Sequence, residues 1–351
     1  MKFNLSKKDL EKVYSLINIK EDNIFVSDRI NDFIQSDYRY FTKKDIKQLD
    51  DIALNVLSDT DEEYEILKEH LNKINKLDLS FYKNNPYSKN ISIKKDIGSN
   101  IKLELKSYEP YELFISDDIN VNEDNYLEKI NLAYFDEKFD YLTLTKNNRI
   151  WMLITPNEIN TMQKSIDEVE GKIVTFGLGL GYFQYMASLK DNVKEIYIIE
   201  KDQKVIDIFE KYLLPQFEHK EKIKIINQNA YNFFDNPKEK FDYAFIDLYH
   251  NPFDGLRFYL YFSSIENKFK STKFLYWLNE SLICLVRRCL ITLVLEQLNN
   301  FDEKEYEESS TATDELINML YKKFKDSTYN SYEEIYDLLS KENIKKIVKT
   351  L

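Results

Sequence analysis

Residues 174–183 read VTFGLGLGYF: a β-branched apolar run, three alternating glycines, and the opening of a helical pattern. The 351-residue chain has only six glycines, and four of them, Gly171, Gly177, Gly179 and Gly181, fall within eleven positions. Glycine is used where φ must be positive or where another group must approach the backbone with no Cβ in the way. A strand that runs into such a turn, and then into a helix whose first N–H groups are free, makes a cradle for a nucleotide-like ligand.

Downstream of this turn the chain alternates. IVTF (173–176), EIYIIE (195–200), KIKIIN (222–227) and FDYAFIDL (241–248) read as strands, with helical spacings between them such as Val205, Ile208, Phe209, Tyr212 and Leu213. Short apolar strands separated by helices predict an α/β fold, a Rossmann-like, doubly wound and mostly parallel sheet covered on both faces. Ligands of such sheets bind at the carboxyl ends of the strands. The most apolar segment, Phe274 to Leu298, is interrupted by Glu280, Arg287, Arg288 and Glu296. It therefore reads as a buried helix, or a helix running into a central strand, and not as a membrane span. Its length could also hide a homo-oligomer interface.

Upstream, hydroxyl residues stand three positions before carboxylates at Ser6–Asp9, Thr42–Asp45 and Thr60–Glu63, a capping-box spacing that starts helices. Residues 83–99, with Pro86, Gly98 and several Asn and Ser, look like a connector. After it the period changes to two: IKLELKSY (101–108) and YELFIS (111–116) alternate, and YLTLT and IWMLI flank Lys146 to Arg149 as a hairpin. A small antiparallel sheet is expected. Thr155-Pro156-Asn157-Glu158 again has capping-box spacing, so Glu158 is read as a cap rather than a ligand. After about residue 300 charged helices return, one opened by Ser331 and Glu334. The expected division is an N-terminal helical region (1–82), a small antiparallel β region (100–155), a Rossmann-like domain (156–300) and a C-terminal helical extension (301–351).

With 43% apolar residues the chain is globular, and its formal charge of −12 opposes the positive field that nucleic acid requires. Lys, Asn, Ile, Tyr and Phe are all abundant, as biased codon usage alone would produce, so the 26 Tyr and 23 Phe are not read as a stacking surface. MKFNLSKKDL has no apolar run after its lysine, so no secretory signal is read and a cytoplasmic protein is expected. Cys284 and Cys289 match neither a redox pair nor a zinc spacing, and His70, His219 and His250 form no ligand motif. Buried thiols and no metal are expected.

The strand ends carry the candidate chemistry. A dinucleotide fingerprint needs glycine at position 182, where Tyr182 stands. The second strand ends at Glu200, nineteen residues after Gly181, where a carboxylate can accept both ribose hydroxyls. The third ends in Asn229-Ala230, which can either read an adenine edge or begin a helix by capping. The fourth ends in Asp247-Leu248-Tyr249-His250-Asn251-Pro252, and Asp247 is expected beside the glycine strand. Asp254 is read as the cap of the following helix and Arg257 as a salt-bridge partner.

GLGLG, Glu200, Asn229-Ala230 and Asp247, in that order on successive strands, resemble the binding positions of the class I S-adenosylmethionine-dependent methyltransferase fold. The hairpin before the domain and the Asp-containing loop after the fourth strand look like its spermidine synthase-like branch. Residues 150–300 are most similar to bacterial methyltransferase-like proteins. The resemblance implies S-adenosylmethionine as cofactor, with Gly177, Gly179 and Gly181 under its methionine part, Glu200 at the ribose, Asn229 and Ala230 at the adenine, and Asp247 facing the sulfonium and the acceptor. Two positions depart from the pattern: Thr175 replaces an acid, and Asp247-Leu248-Tyr249-His250 replaces the Asp-Ser or Asp-Pro loop of aminopropyl transfer. Asp247, Tyr249 and His250 form the titratable cluster expected to act in catalysis, His250 being the natural base by its ordinary pKa. The expected function is methyl transfer to a small-molecule or protein acceptor; the alternatives are an aminopropyltransferase and a non-catalytic module for binding or assembly.

Overall fold

Written start signals open the N-terminal helices. Helix α1 (Lys7–Gln35) begins where the Ser6 hydroxyl accepts the Asp9 N–H, and after α2 (Leu49–Leu57) the same bond from Thr60 to Glu63 opens α3 (Asp61–His70). The structure is a computed structural model that describes residues 1–93, 97–98, 101–235, 239–301, 306 and 310–351. Two short helices follow, α4 (Leu79–Lys83) and α5 (Pro86–Asn90), the second inside the 83–99 stretch expected as a loose connector; the end of that stretch, from 94 to 99, lies largely outside the described residues.

The antiparallel region is real but divided. Strand β1 (Ile101–Tyr108) pairs along its length with β2 (Phe139–Lys146), which turns through Asn147 and Asn148 into β3 (Arg149–Leu153). Both asparagines have positive φ, 53° and 62°, the geometry a two-residue hairpin requires. YELFIS does not join them: Phe114–Ile115 pairs in a separate sheet with Leu132–Tyr134 and Asn75–Lys76, and Glu112 makes an isolated bridge to Tyr40. Tyr111 takes φ 65°, and Glu112 is buried against Arg39 with its oxygen 3.0 Å from Nε, so the backbone bends where the alternation predicted extension.

The remaining chain winds as α6 (Pro156–Glu168), β4 (Gly171–Phe176), α7 (Tyr182–Ser188), β5 (Val193–Glu200), α8 (Gln203–Ile208), β6 (Ile223–Asn227), β7 (Tyr243–Ile246), α9 (Pro252–Ile265), β8 (Lys273–Tyr276), α10 (Asn279–Leu298), α11 (Ala312–Phe324), α12 (Tyr332–Leu338) and α13 (Lys341–Val348). Five parallel strands lie in the order β6-β5-β4-β7-β8. The sheet is the Rossmann-like doubly wound α/β sheet, with the glycine strand at its centre. Phe176 is level with Ile199 on one side and Ile246 on the other, so the three strands end together. Ile173, Val174, Ile196, Ile198, Ala244 and Ile246 are fully buried, as central strands covered on both faces must be.

Phe274 to Leu298 is a strand followed by a helix, the reverse of the expected order, and that strand is the sheet's edge rather than its centre. Leu278, at φ 50°, makes the turn between them. Helix α10 packs against α1, α9, α11 and α13, which cover its apolar surface within the chain. The arginines that interrupt it hold the outlying regions: Arg288 pairs with Glu128 and donates to the Asn23 carbonyl and the Ser27 hydroxyl, and Arg287 donates to the Leu339 carbonyl. Cys284 and Cys289 are both reduced and buried. Among the described residues no helix is long and apolar enough to cross a membrane. The start of α1, the sheet and the C-terminal helices share one apolar core, running from Val13 to Val348. The rest of α1 packs with α2 and α3 around a second core that includes Ile30, Leu54 and Leu67, and the strand Lys2–Phe3 pairs in parallel with Thr328–Tyr329.

Candidate active site at the carboxyl ends of the sheet

The three glycines of the turn have positive φ, and each does a different task. At Gly177 (φ 94°) a Cβ would overlap the Asp247 carbonyl oxygen, so the glycine lets the end of β4 lie against the end of β7. At Gly181 (φ 77°) a Cβ would overlap the Phe209 ring, which packs under the start of α7. Gly179 (φ 56°) faces open space: the nearest atom to a Cβ there is Met152 Sδ at 3.9 Å. Of the three, Gly179 is the one whose bare backbone is left for a ligand.

Glu200 is buried directly beneath the turn. Its Oε2 accepts the Leu178 N–H at 3.3 Å and its Oε1 the Asp202 N–H at 2.7 Å. Each oxygen keeps a further acceptor site for a ribose hydroxyl. Thr175, where an acid would stand in the methyltransferase pattern, is fully buried: its hydroxyl and the Gly177 carbonyl both accept from Gln184 Nε2, at 3.0 and 3.1 Å. The position is structural here. Asn229 Oδ1 accepts the Tyr231 N–H at 3.0 Å, the capping geometry, at the start of a 3-10 turn that begins with buried Ala230. Its amide N–H groups have no partner among the described residues.

Asp247 lies beside the turn, its N–H donating to the Phe176 carbonyl at 2.9 Å. Its carboxylate is half-buried with no hydrogen-bond partner among the described residues, and burial lifts its pKa to about 7. Glu158 is the residue the sequence reading misplaced. Thr155 does occupy the N-cap of α6, but its side chain makes no capping bond and Glu158 makes none back. Pro156 at the first helical position has no N–H to satisfy and fixes the entry by its ring. Glu158 is thereby free to stand within electrostatic reach of Asp247, and burial together with that charge raises its pKa well above the usual carboxylate range. Two acids with raised pKa at the ligand end of a sheet are a functional arrangement in the sense that each costs stability where it stands. The legible signal was an acid in the first turn of the helix that delivers the glycine strand.

Of the other two members of the titratable cluster, Tyr249 lies within electrostatic reach of Asp247 and His250 does not face it. Tyr249 is buried, its ring stacks on Trp277, and its hydroxyl donates to the Trp277 carbonyl. Burial holds its pKa far above the ordinary value, so it braces the loop rather than exchanging a proton. Gly255 makes room for its ring. His250 is on the outer side, exposed, with Nδ1 3.7 Å from Asp254. Asn251, and not Asp254, caps α9 by accepting the Asp254 N–H at 3.0 Å, ahead of Pro252 at the first position. Arg257 is held by both oxygens of Glu315, at 3.0 and 2.8 Å.

The segment expected as a connector is the roof of the turn. The Tyr87 hydroxyl donates to the Leu180 carbonyl at 2.5 Å, Asn85 Nδ2 donates to the Tyr182 hydroxyl at 2.9 Å, and the Tyr87 ring sits edge-on to Tyr182 and Tyr185. Tyr182, the residue that spoils a dinucleotide fingerprint, is thus the docking point of α5.

Residues 185–270, which contain Glu200, Asn229, Ala230 and Asp247, match the sequence profile of the spermine/spermidine synthase domain. Among solved structures, spermidine synthase from Thermotoga maritima is similar at 15% identity with a TM-score of 0.29, covering 49% of this chain and 68% of that one. A spermidine synthase in complex with the transition-state analogue AdoDATO is similar at 16% identity with a TM-score of 0.26, covering 41% of this chain and 59% of that one. A search of curated proteins returns no match. The domain match corrects the expectation of methyl transfer, since it falls on the aminopropyl side of the alternatives that the strand ends left open.

Proposed function

We propose that the chain is an aminopropyltransferase that uses decarboxylated S-adenosylmethionine as donor and an amine as acceptor. The observation that carries the reading is the spermine/spermidine synthase match over the residues that hold Asp247, together with the carboxyl pair Asp247 and Glu158, both with raised pKa and without a hydrogen-bond partner among the described residues. A carboxylate pair suits an acceptor that arrives as a cation and must lose a proton to react.

In this reading Gly179 gives the donor access to the turn backbone, Glu200 accepts its ribose hydroxyls, and Asn229 and Ala230 border its adenine. The donor supplies an activated carbon on a sulfonium. The acceptor's ammonium first gives one proton to the Asp247 carboxylate, which frees the nitrogen lone pair; the neutral nitrogen attacks that carbon, the C–S bond breaks with its electron pair going to sulfur, and the new secondary amine leaves as its ammonium. Glu158, raised above the usual carboxylate range, offers the acceptor nitrogen a hydrogen bond. The expected product of turnover is 5′-methylthioadenosine, detected by chromatography when the protein is incubated with the donor and a panel of amines. Calorimetry that finds no binding of the donor, with no methylthioadenosine formed, overturns the reading; donor binding without turnover favours a binding module.

Glu200→Ala is expected to weaken donor binding by roughly tenfold or more, the loss of two charge-assisted hydrogen bonds offset by solvent. Calorimetry that finds unchanged affinity would remove Glu200 from the site.

The acid pair also predicts a pH-dependent stability. A carboxyl whose folded pKa lies above its unfolded value contributes stability below the unfolded pKa and loses it as pH rises through the folded one. For Asp247 that window runs from about pH 4, the usual aspartate value, to about 7. Glu158→Gln, which removes the repulsion, is expected to raise Tm at pH 8 by roughly 2 °C or more and to leave it nearly unchanged at pH 4. Scanning calorimetry at the two pH values checks this; equal shifts at both would separate Glu158 from Asp247.

A further inference from the structure

We infer that the acceptor is a monocationic primary amine with an apolar body, lodged in a cavity between α1, the segment 115–130 and α10; this rests on the aminopropyl-transfer reading. The cavity measures about 230 Å³. At roughly 30 Å³ per heavy atom, water's share of its liquid volume, it has room for about eight non-hydrogen atoms. Its place in the fold is that of a second substrate. Pro252 and Phe253 follow β7, Leu278 and Ser281 follow β8, and Asn157 precedes Glu158 on α6, so the cavity is walled in part by the segments that leave the carboxyl ends of the sheet.

Its chemistry excludes a second charge at the far end. The body of the wall is Ile30, Ile115, Ile119, Ile130 and Leu285. The charged groups that reach it are already engaged. Asp118 accepts the N–H groups of Glu280 and Ser281 and the Ser281 hydroxyl. Arg288 is paired with Glu128, so neither it nor Asp118 leaves a free counter-charge for a second ammonium in the apolar wall. Asp117, exposed at the rim, adds negative potential that draws one cation toward the entrance. Apart from Pro252 and Phe253 the lining lies outside residues 185–270, so most of this selection is built by parts of the chain that the domain match does not cover.

The test compares kcat/KM for hexylamine and phenethylamine with putrescine and 1,6-diaminohexane, using the full chain and decarboxylated S-adenosylmethionine. Hexylamine is expected to exceed 1,6-diaminohexane by roughly tenfold or more, because the diamine must bury an unpaired charge. Phe253→Ala, at the mouth, is expected to raise KM for hexylamine about fivefold. Ile119→Trp, shown folded by circular dichroism, is expected to abolish turnover of hexylamine while calorimetry still finds donor binding. Preference for either diamine overturns this inference and leaves the aminopropyl reading standing. If no amine turns over, hexylamine binding is measured directly: saturable binding that Ile119→Trp removes keeps the cavity's ligand class and overturns the reading of function, and no saturable binding overturns both.

Discussion

Asp247→Asn is expected to lower kcat for aminopropyl transfer by roughly 10²–10⁴-fold, the usual range for removing a general base, with donor affinity changed only a few-fold. The amide keeps the size of the side chain and cannot take the proton. The backbone bond from Asp247 N–H to the Phe176 carbonyl, which sets the strand end beside the turn, is untouched by the change. In the parent protein kcat/KM is expected to rise with pH as the carboxyl, lifted to about 7, ionises; in the variant that limb disappears. A variant that retains a tenth of the activity with the same pH profile would move the base elsewhere, and His250, exposed 54% on the outer side, would be the first residue to test.

Gly177→Ala is expected to cost roughly 2–6 kcal/mol of stability, adding the strain of a positive φ to the overpacking of a crowded position. The clash is with backbone, the Asp247 carbonyl oxygen, which no rotamer change can relieve. Gly179→Ala makes the informative contrast. Its φ is also positive, but the space beside it is open to Met152 at 3.9 Å, so only the conformational strain of roughly 1–3 kcal/mol remains. Urea unfolding followed by circular dichroism is expected to rank Gly177→Ala well below Gly179→Ala, while calorimetry with the donor shows loss of binding in folded Gly179→Ala. Equal destabilisation would mean that the two glycines share one role.

The sheet was legible because its strands are short apolar runs punctuated by turn residues, and all four strands read from Ile173 onward appear within about three residues of their expected bounds. YELFIS was misread because alternation alone does not report a positive φ at Tyr111 or an ion pair at Glu112. The order of strand and helix after residue 273 was hidden by a run apolar throughout, where period carries no information. In the site, the glycine turn and Asp247 were placed by chain order along the strands. Glu158 was masked by a spacing that serves capping in four other places in this chain; only the unmade bond at Thr155 separates the two uses. Tyr249 was assigned to chemistry from its neighbours in sequence, whereas its hydroxyl is committed to Trp277, a partner 28 positions away.

The parallel pairing of Lys2–Phe3 with Thr328–Tyr329 bears on how the molecule is made. A ribosome adds on the order of 5–20 residues per second, so the first strand waits at least some sixteen seconds for its partner. During that interval the inner face of α1, destined for α10 and α12, has only earlier residues to cover it. The wall that would grip the acceptor is therefore complete only once α10 has been made, and holdase chaperones are expected to engage nascent chains stalled between α1 and α10 far more than chains released past residue 329.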